Sequence, residues 1–272
     1  MGRPRPRTTG ARRLSAAGDL MSVHRFFAPR VEAPGSELYL SPEEGRHLSR
    51  VLRLRSGARV QVFDGRGREH EATLTDDDPR RPVLRLGAPV ATIAEPRVRV
   101  TLGVTLLKGR KLDTVIRDAT ALGVAEIVPL LTHRAQAGGF GRDGASPGDR
   151  WRGIAIAAAK QCGRAVVPAI QPPARLPRFL EDARPEAVRL LLAEPSAADP
   201  GPASAGLDAL RNAPRPAGAV LAIGPEGGWT DDETRAAEAA GFRPLTLGRR
   251  TLRAETAPVA ALSILRFVWD DL

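Results

Sequence analysis

The sequence predicts two structures in succession: a small β-barrel carrying one short helix, then a larger α/β domain whose mostly parallel sheet is covered on both sides. Three observations carry this. From Val23 to about Thr92, short β-like runs alternate with turn signals. Beyond the linker IAEPRV, strands alternate with helices, the order produced when parallel strands are joined by crossover helices. With 272 residues, the chain is long enough for two such units and a sizeable buried core.

Within the first unit, SELYL, ARVQVFDGRG and HEATL read as strands, and Asp64-Gly65 is a hairpin-type dipeptide. EEGRHLSRVLRL reads as one helix, with Leu48, Val51 and Leu52 on its inner face and Arg46, Arg50 and Arg53 on the outer one. That outer face suits either RNA phosphates or plain solvation. In the second unit, Val98, Val100, Leu102, Val104 and Leu106 alternate as in a strand. GRKLDTVIRDATALGV follows with Leu112, Val115, Ile116, Ala119 and Leu122 at helical spacing and Gly123 as its stop. EIVPLL is a strand, AGGFGRDGASPGD a glycine-rich loop, and RWRGIAIAAAKQCGR a helix. VVPAI and AVRLLLAE are strands, and a Pro/Ala-rich insert from Pro195 to Pro216 leads into the strand AVLAI.

Composition narrows the function classes. The formal charge of +10 favours a polyanionic partner, but only Lys108, Lys111 and Lys160 are lysines. The arginine excess, alongside abundant Ala, Gly and Pro, is shared with a general composition bias. Cys162 is the single cysteine, which excludes an internal disulfide framework and suits a reducing, cytoplasmic compartment. The histidines at 24, 47, 70 and 133 show no metal-ligand spacing, so no metal is expected. No apolar run approaches the roughly 20 residues of a membrane span, and a soluble protein is expected. Residues 1–21 carry five arginines and one acid and are expected to form a disordered basic extension, which suits an RNA-binding arm or an upstream start ahead of Met21.

Three strands end in chemically unusual loops: LLLAEP, IGPEGG and LGRRTLRAET. In an open α/β sheet, ligands collect beyond the carboxyl ends of strands, so these loops define one candidate pocket. A phosphate cradle is disfavoured there. Neither G-x-x-x-x-G-K-[ST] nor G-x-G-x-x-G is present, and Thr230 with Glu233 fits a capping box that occupies the amides a phosphate would need. A neutral or cationic ligand fits better. Acids at a helix start also complement the dipole with no ligand at all.

The runs HRFF, HLSRVLRLRSGARVQVFDGRG, KLDTVIRDATALGV, RWRGIAIAAAKQCGR, IGPEGG and LGRRTLRAETA resemble, in this order, the RsmE-type 16S ribosomal RNA (uracil-N3)-methyltransferases of the SPOUT class. The resemblance covers nearly everything from Val23 onward. It implies a PUA-like RNA-binding barrel over 22–92 and a SPOUT methyltransferase domain with a deep trefoil knot over 98–272. It also implies a homodimer, S-adenosyl-L-methionine as cofactor, and methylation at N3 of a specific uridine in the decoding region, on the small ribosomal subunit.

Carried over by position, the resemblance places the cofactor against Leu192, Ala193, Glu194, Ile223, Gly224, Pro225, Gly227, Gly228, Leu247, Gly248, Leu252 and Thr256. Arg253 would steady the uracil, and Glu226 or Glu255 would orient the pocket or assist proton loss, each glutamate alternatively tying loops together. RNA contacts are expected from Arg25, Arg46, Arg50, Arg53, Lys111 and Arg164, mostly to phosphates. The chain departs from the family's usual pattern at Ala121, which lacks a common carboxylate, at Ala254, which lacks a common hydroxyl, and at Lys160, where an acid is frequent. Two other classes fit parts of the pattern: a catalytically silent RNA-binding or ribosome-assembly factor on the same scaffold, and a nucleotide-dependent protein, which the missing Walker pattern disfavours.

Overall fold

The computed structural model describes residues 23–135, 147–184, 187–194 and 205–271. The expected basic extension and most of the glycine-rich loop after EIVPLL lie outside the described residues. The first unit is a five-stranded sheet of β1 (Arg25–Phe27), β2 (Glu37–Tyr39), β3 (Arg59–Phe63), β4 (Glu69–Asp76) and β5 (Val83–Pro89), in the order β1-β3-β4-β5-β2. β1 runs parallel to β3 and the remaining pairs are antiparallel. The strands β1 and β2 stay at opposite edges, so the sheet is a half-barrel. Its inward positions, among them Phe26, Val60, Val62, Leu74 and Leu84, form one buried cluster, as period-two alternation requires.

The predicted helix is two pieces. Helix α1 (Pro42–Arg46) is capped by Ser41, whose hydroxyl accepts the Glu44 N–H at 3.2 Å, and a π-helical turn follows over His47–Val51. The Leu52 N–H donates to the His47 carbonyl, five residues back. The wider turn rotates the inner face: Leu48 remains buried, whereas Val51 is 65% exposed, contrary to its predicted inward position. Arg53 then takes a left-handed φ of 53° that ends the helix.

The second unit is a parallel sheet in the order β12-β10-β11-β6-β7-β8, comprising β6 (Arg99–Thr105), β7 (Glu126–Leu131), β8 (Ala169–Ile170), β10 (Val188–Leu192), β11 (Gly218–Ile223) and β12 (Arg243–Leu245). The short β9 (Ala174–Arg175) adds to β7. Helices α2 (Lys111–Ala121), α3 (Pro147–Cys162), α5 (Ala205–Asn212) and α7 (Thr256–Val268) contribute to the core on one face, and α4 (Leu176–Glu181) and α6 (Asp231–Ala239) to that on the other. Strand β11 shows how one run serves both: Ala219, Leu221 and Ile223 join the first core, Val220 and Ala222 the second. This double burial is why the run is continuously apolar. Helix α5 sits inside the Pro/Ala-rich insert, where composition concealed it.

The units are joined by buried polar contacts. Arg25 forks onto Glu69 at 2.7 and 2.8 Å and donates to the carbonyls of Ala159, Lys160 and Arg164. Lys160 meets the Glu44 carboxylate at 2.7 Å, which gives this unusual lysine a partner in the half-barrel. The Asp64-Gly65 turn also docks: Gly67 N–H donates to Ala165 and Val167 N–H to Gly65. Gly65 has a φ of 74°, and a Cβ there would stand 2.9 Å from the Phe27 ring.

Candidate functional site

Strand register assembles the site. Leu192 at the end of β10 lies beside Ile223 of β11 on one side and Leu245 of β12 on the other. The loops that follow all three strands therefore leave the sheet's carboxyl edge side by side. Between them is a small cleft lined by all three loops, at the edge where open α/β sheets take their ligands.

Of the residues expected around a ligand, Leu192, Ala193, Glu194, Ile223, Gly224, Pro225, Gly228, Leu247 and Leu252 line this cavity, and Glu226 joins them. Gly227, Gly248 and Thr256 stand outside the lining. Gly227 gives its carbonyl to Arg134, and Thr256 opens α7 with its N–H bonded to the Arg253 carbonyl. Trp229, Arg250, Thr251, Ala254 and Ala257 line it without having been predicted. Trp229 directly follows the glycines in sequence, the one signal that marks it. Its indole N–H donates to the Leu192 carbonyl at 2.9 Å, and its ring covers Gly224, where a Cβ would approach within 2.9 Å. Ala254, in place of the family's common hydroxyl, is 6% exposed and adds to the apolar wall.

The capping box forms as the sequence implied. Glu233 N–H donates to Thr230 Oγ1 at 3.2 Å, and Thr230 N–H donates to Glu233 Oε2 at 2.9 Å. The other Glu233 oxygen accepts the His133 N–H, tying the segment after β7 to this loop. The start of α6 is thereby occupied, and the cavity is apolar within, with Glu194, Glu226 and Arg250 as its charged lining. With the helix amides occupied and two carboxylates to one guanidinium, that lining fits a partly apolar ligand bearing positive charge better than a phosphate.

At the mouth, the Lys111 ammonium bonds the Glu226 carboxylate and lies 3.4 Å from Glu255 Oε2. The hydrogen bond to Glu226, ahead of the other influences on it, pushes the lysine pKa above its ordinary value. The Glu255 carboxyl is held below the usual range, first by a backbone N–H and then by the Lys111 and Arg253 charges. Arg253 is exposed beside it.

The expected RNA contacts divide. Arg46, Arg50 and Arg53 are exposed on the half-barrel. Arg25 and Arg164 instead turn inward to protein partners: Arg25 commits its guanidinium to Glu69 and three carbonyls, and Arg164, 5% exposed, pairs with Glu95 and donates to the Thr120 and Val124 carbonyls. Sequence alone could not distinguish these arginines from those outside. Among the described residues, no group of three His, Cys, Asp or Glu is placed to hold a metal, and no helix is long and apolar enough to cross a membrane.

The class of protein follows from comparison. Residues 94–266 match the family profile of the RNA methyltransferase domain, and residues 40–87 that of the RNA methyltransferase PUA domain. The chain is 36% identical over 253 residues to the ribosomal RNA small subunit methyltransferase E of Synechocystis, covering 92% of this chain and 78% of the relative. A Neisseria gonorrhoeae structure of the same name, bound to S-adenosyl methionine, superposes with a TM-score of 0.79 at 31% identity, covering 91% of this chain and 98% of the other. A Legionella pneumophila methyltransferase in complex with S-adenosylmethionine gives 0.78 at 32% identity, covering 90% and 97%. The chain belongs to the ribosomal RNA small subunit methyltransferase E family, with a SPOUT-type α/β domain behind a PUA half-barrel.

Proposed function

We propose that this protein uses S-adenosylmethionine to methylate N3 of a specific uridine in the decoding region of 16S ribosomal RNA, acting on the assembled small subunit as a cytoplasmic homodimer. The observation that carries the proposal is the cavity at the edge of β10, β11 and β12, apolar inside with Glu194 and Glu226 in its wall. Bound there, S-adenosylmethionine would supply an electrophilic methyl group on a cationic sulfonium. Leu192, Leu247, Leu252 and Ala257 offer it an apolar wall, Trp229 closes one side, and Glu194 favours its charge, while Glu226 is shared with Lys111 at the mouth. The exposed Arg253 guanidinium is available to an oxygen of the uracil as negative charge develops on the base.

The N3 proton passes to the carboxylate of Glu226, which is 61% exposed at the mouth; Glu255, 21% exposed, orients the pair. Positioning is the main lever, since two large reactants must meet in one geometry. Arg46, Arg50 and Arg53 supply phosphate contacts from the half-barrel. A homodimer would need an apolar contact, and Phe267, 67% exposed on α7, is available for one.

The test is transfer of labelled methyl to small subunits purified from cells lacking this modification, with nuclease mapping of the product. Label at one uridine N3 is expected. RNA binding with neither cofactor binding nor transfer would establish instead the silent assembly factor.

A further inference from the structure

Lys111 occupies the first position of α2, where the helix dipole disfavours a cation. Nothing on its own helix offsets this. The preceding Arg110 makes no capping hydrogen bond, and the acid of that turn, Asp113, is paired with Arg150. The partners of Lys111 come from two other segments: Glu226 from the loop after β11, and Glu255 from the residue that opens α7. Glu255 Oε2 is buried without a hydrogen bond, so the ammonium at 3.4 Å is its charged neighbour. A cation held against its helix dipole by two remote carboxylates, at the rim of a cavity, marks a local rule broken for the sake of a site.

We propose that Lys111 is a positioning residue of the methyl-transfer site, clamping Glu226 and Glu255 together across the mouth of the cavity, rather than a contact for RNA phosphate. The proposal rests on the proposed activity for its kinetic arm only. The other charges around the clamp are Arg253 and Arg250 on the loop before α7, Arg134 on the Gly227 carbonyl, and Glu194 across Gly228. None of these joins the two glutamates directly in the observed contacts. With Lys111 in place the Glu226 carboxylate is fixed at the mouth, where it can take the N3 proton, and Glu255, held below the usual carboxylate range, stays ionised behind it.

The experiment compares wild type, Lys111→Met and Lys111→Arg in three measurements: single-turnover methyl transfer to small subunits against pH, carboxyl NMR titration of the glutamates in the free protein, and RNA binding against salt. For Lys111→Met, turnover should fall about 100-fold, the size expected of a misplaced reacting group. The acid limb of its pH profile should move upward, because Glu255 has lost a cation that favours its ionisation. Subunit KM and the salt slope should stay near wild type, and Lys111→Arg should recover most of the loss. In the free protein, Glu255 should titrate at higher pH in Lys111→Met. Unchanged turnover and unchanged titration would overturn the clamp, as would a raised KM with a flatter salt slope and an unshifted pH profile. If the wild-type protein transfers no methyl group, the proposed activity fails, and the titration of Glu255 still decides the clamp.

Discussion

Replacing Arg25 by Met should uncouple the half-barrel from the methyltransferase domain. The guanidinium lies 2.7 and 2.8 Å from the two Glu69 oxygens, donates to three carbonyls at 2.8, 3.2 and 3.0 Å, and stacks 4.7 Å from the centre of the Phe63 ring. Both side chains of the pair are almost out of solvent, at 7% and 5% exposure. Methionine would fill much of the volume but leave the Glu69 carboxylate buried and unpaired. Breaking a buried pair in this way costs about 3–5 kcal/mol. For a chain of this size that corresponds to a melting temperature lowered by roughly 6–20 °C. Circular dichroism follows both units, while fluorescence follows Trp151, Trp229 and Trp269, all in the second unit. Adding Glu69→Gln should return part of the loss by removing the orphaned charge. A midpoint within about 2 °C of wild type, together with a flatter salt dependence of RNA binding, would refute the weld and restore Arg25 as a phosphate contact.

Three further outcomes are expected. Gly224→Ala should push the Trp229 ring away and cost its bond to Leu192, weakening S-adenosylmethionine binding about 5- to 10-fold by calorimetry; equal affinity would remove Trp229 from the wall. Neutralising Arg50 and Arg53 together should flatten the salt slope of RNA binding by about 1.4 to 1.8, the share of two phosphates, and an unchanged slope would take that face out of the interface. Burial, then the Lys160 ammonium, push the His47 pKa below its ordinary 6.5. The unfolded chain then binds the proton more readily, so this contribution to stability is present above pH 6.5 and is lost as pH falls towards the folded value. Urea midpoints at about pH 7.5 and about pH 5.5 should converge on replacing His47 by Gln; equal pH dependence in the variant would assign the effect elsewhere.

Much of this protein is legible in its sequence. The alternation from Val98 to Leu106 and the spacing from Leu112 to Leu122 are local properties, and they set β6 and α2 directly. The capping box at Thr230 and Glu233 was equally local, since both partners lie within one turn. The loop motifs marked most of the cavity wall because strand ends in a parallel sheet share one edge. Val51 was misplaced because a π-helical turn is decided by packing around Leu48, which the helical period does not encode.

The sequence by itself determined the succession of a β-rich unit and an alternating α/β unit, most of the apolar core, and the family. Only the tertiary structure decided which charges are free. Arg25, Arg164, Lys160 and Lys111 look alike along the chain, yet they find Glu69, Glu95, Glu44 and Glu226, partners between 44 and 116 residues away. The physical reason is that periodicity reports the side of an element that is buried, whereas an ion pair depends on what another, distant element brings to the same place.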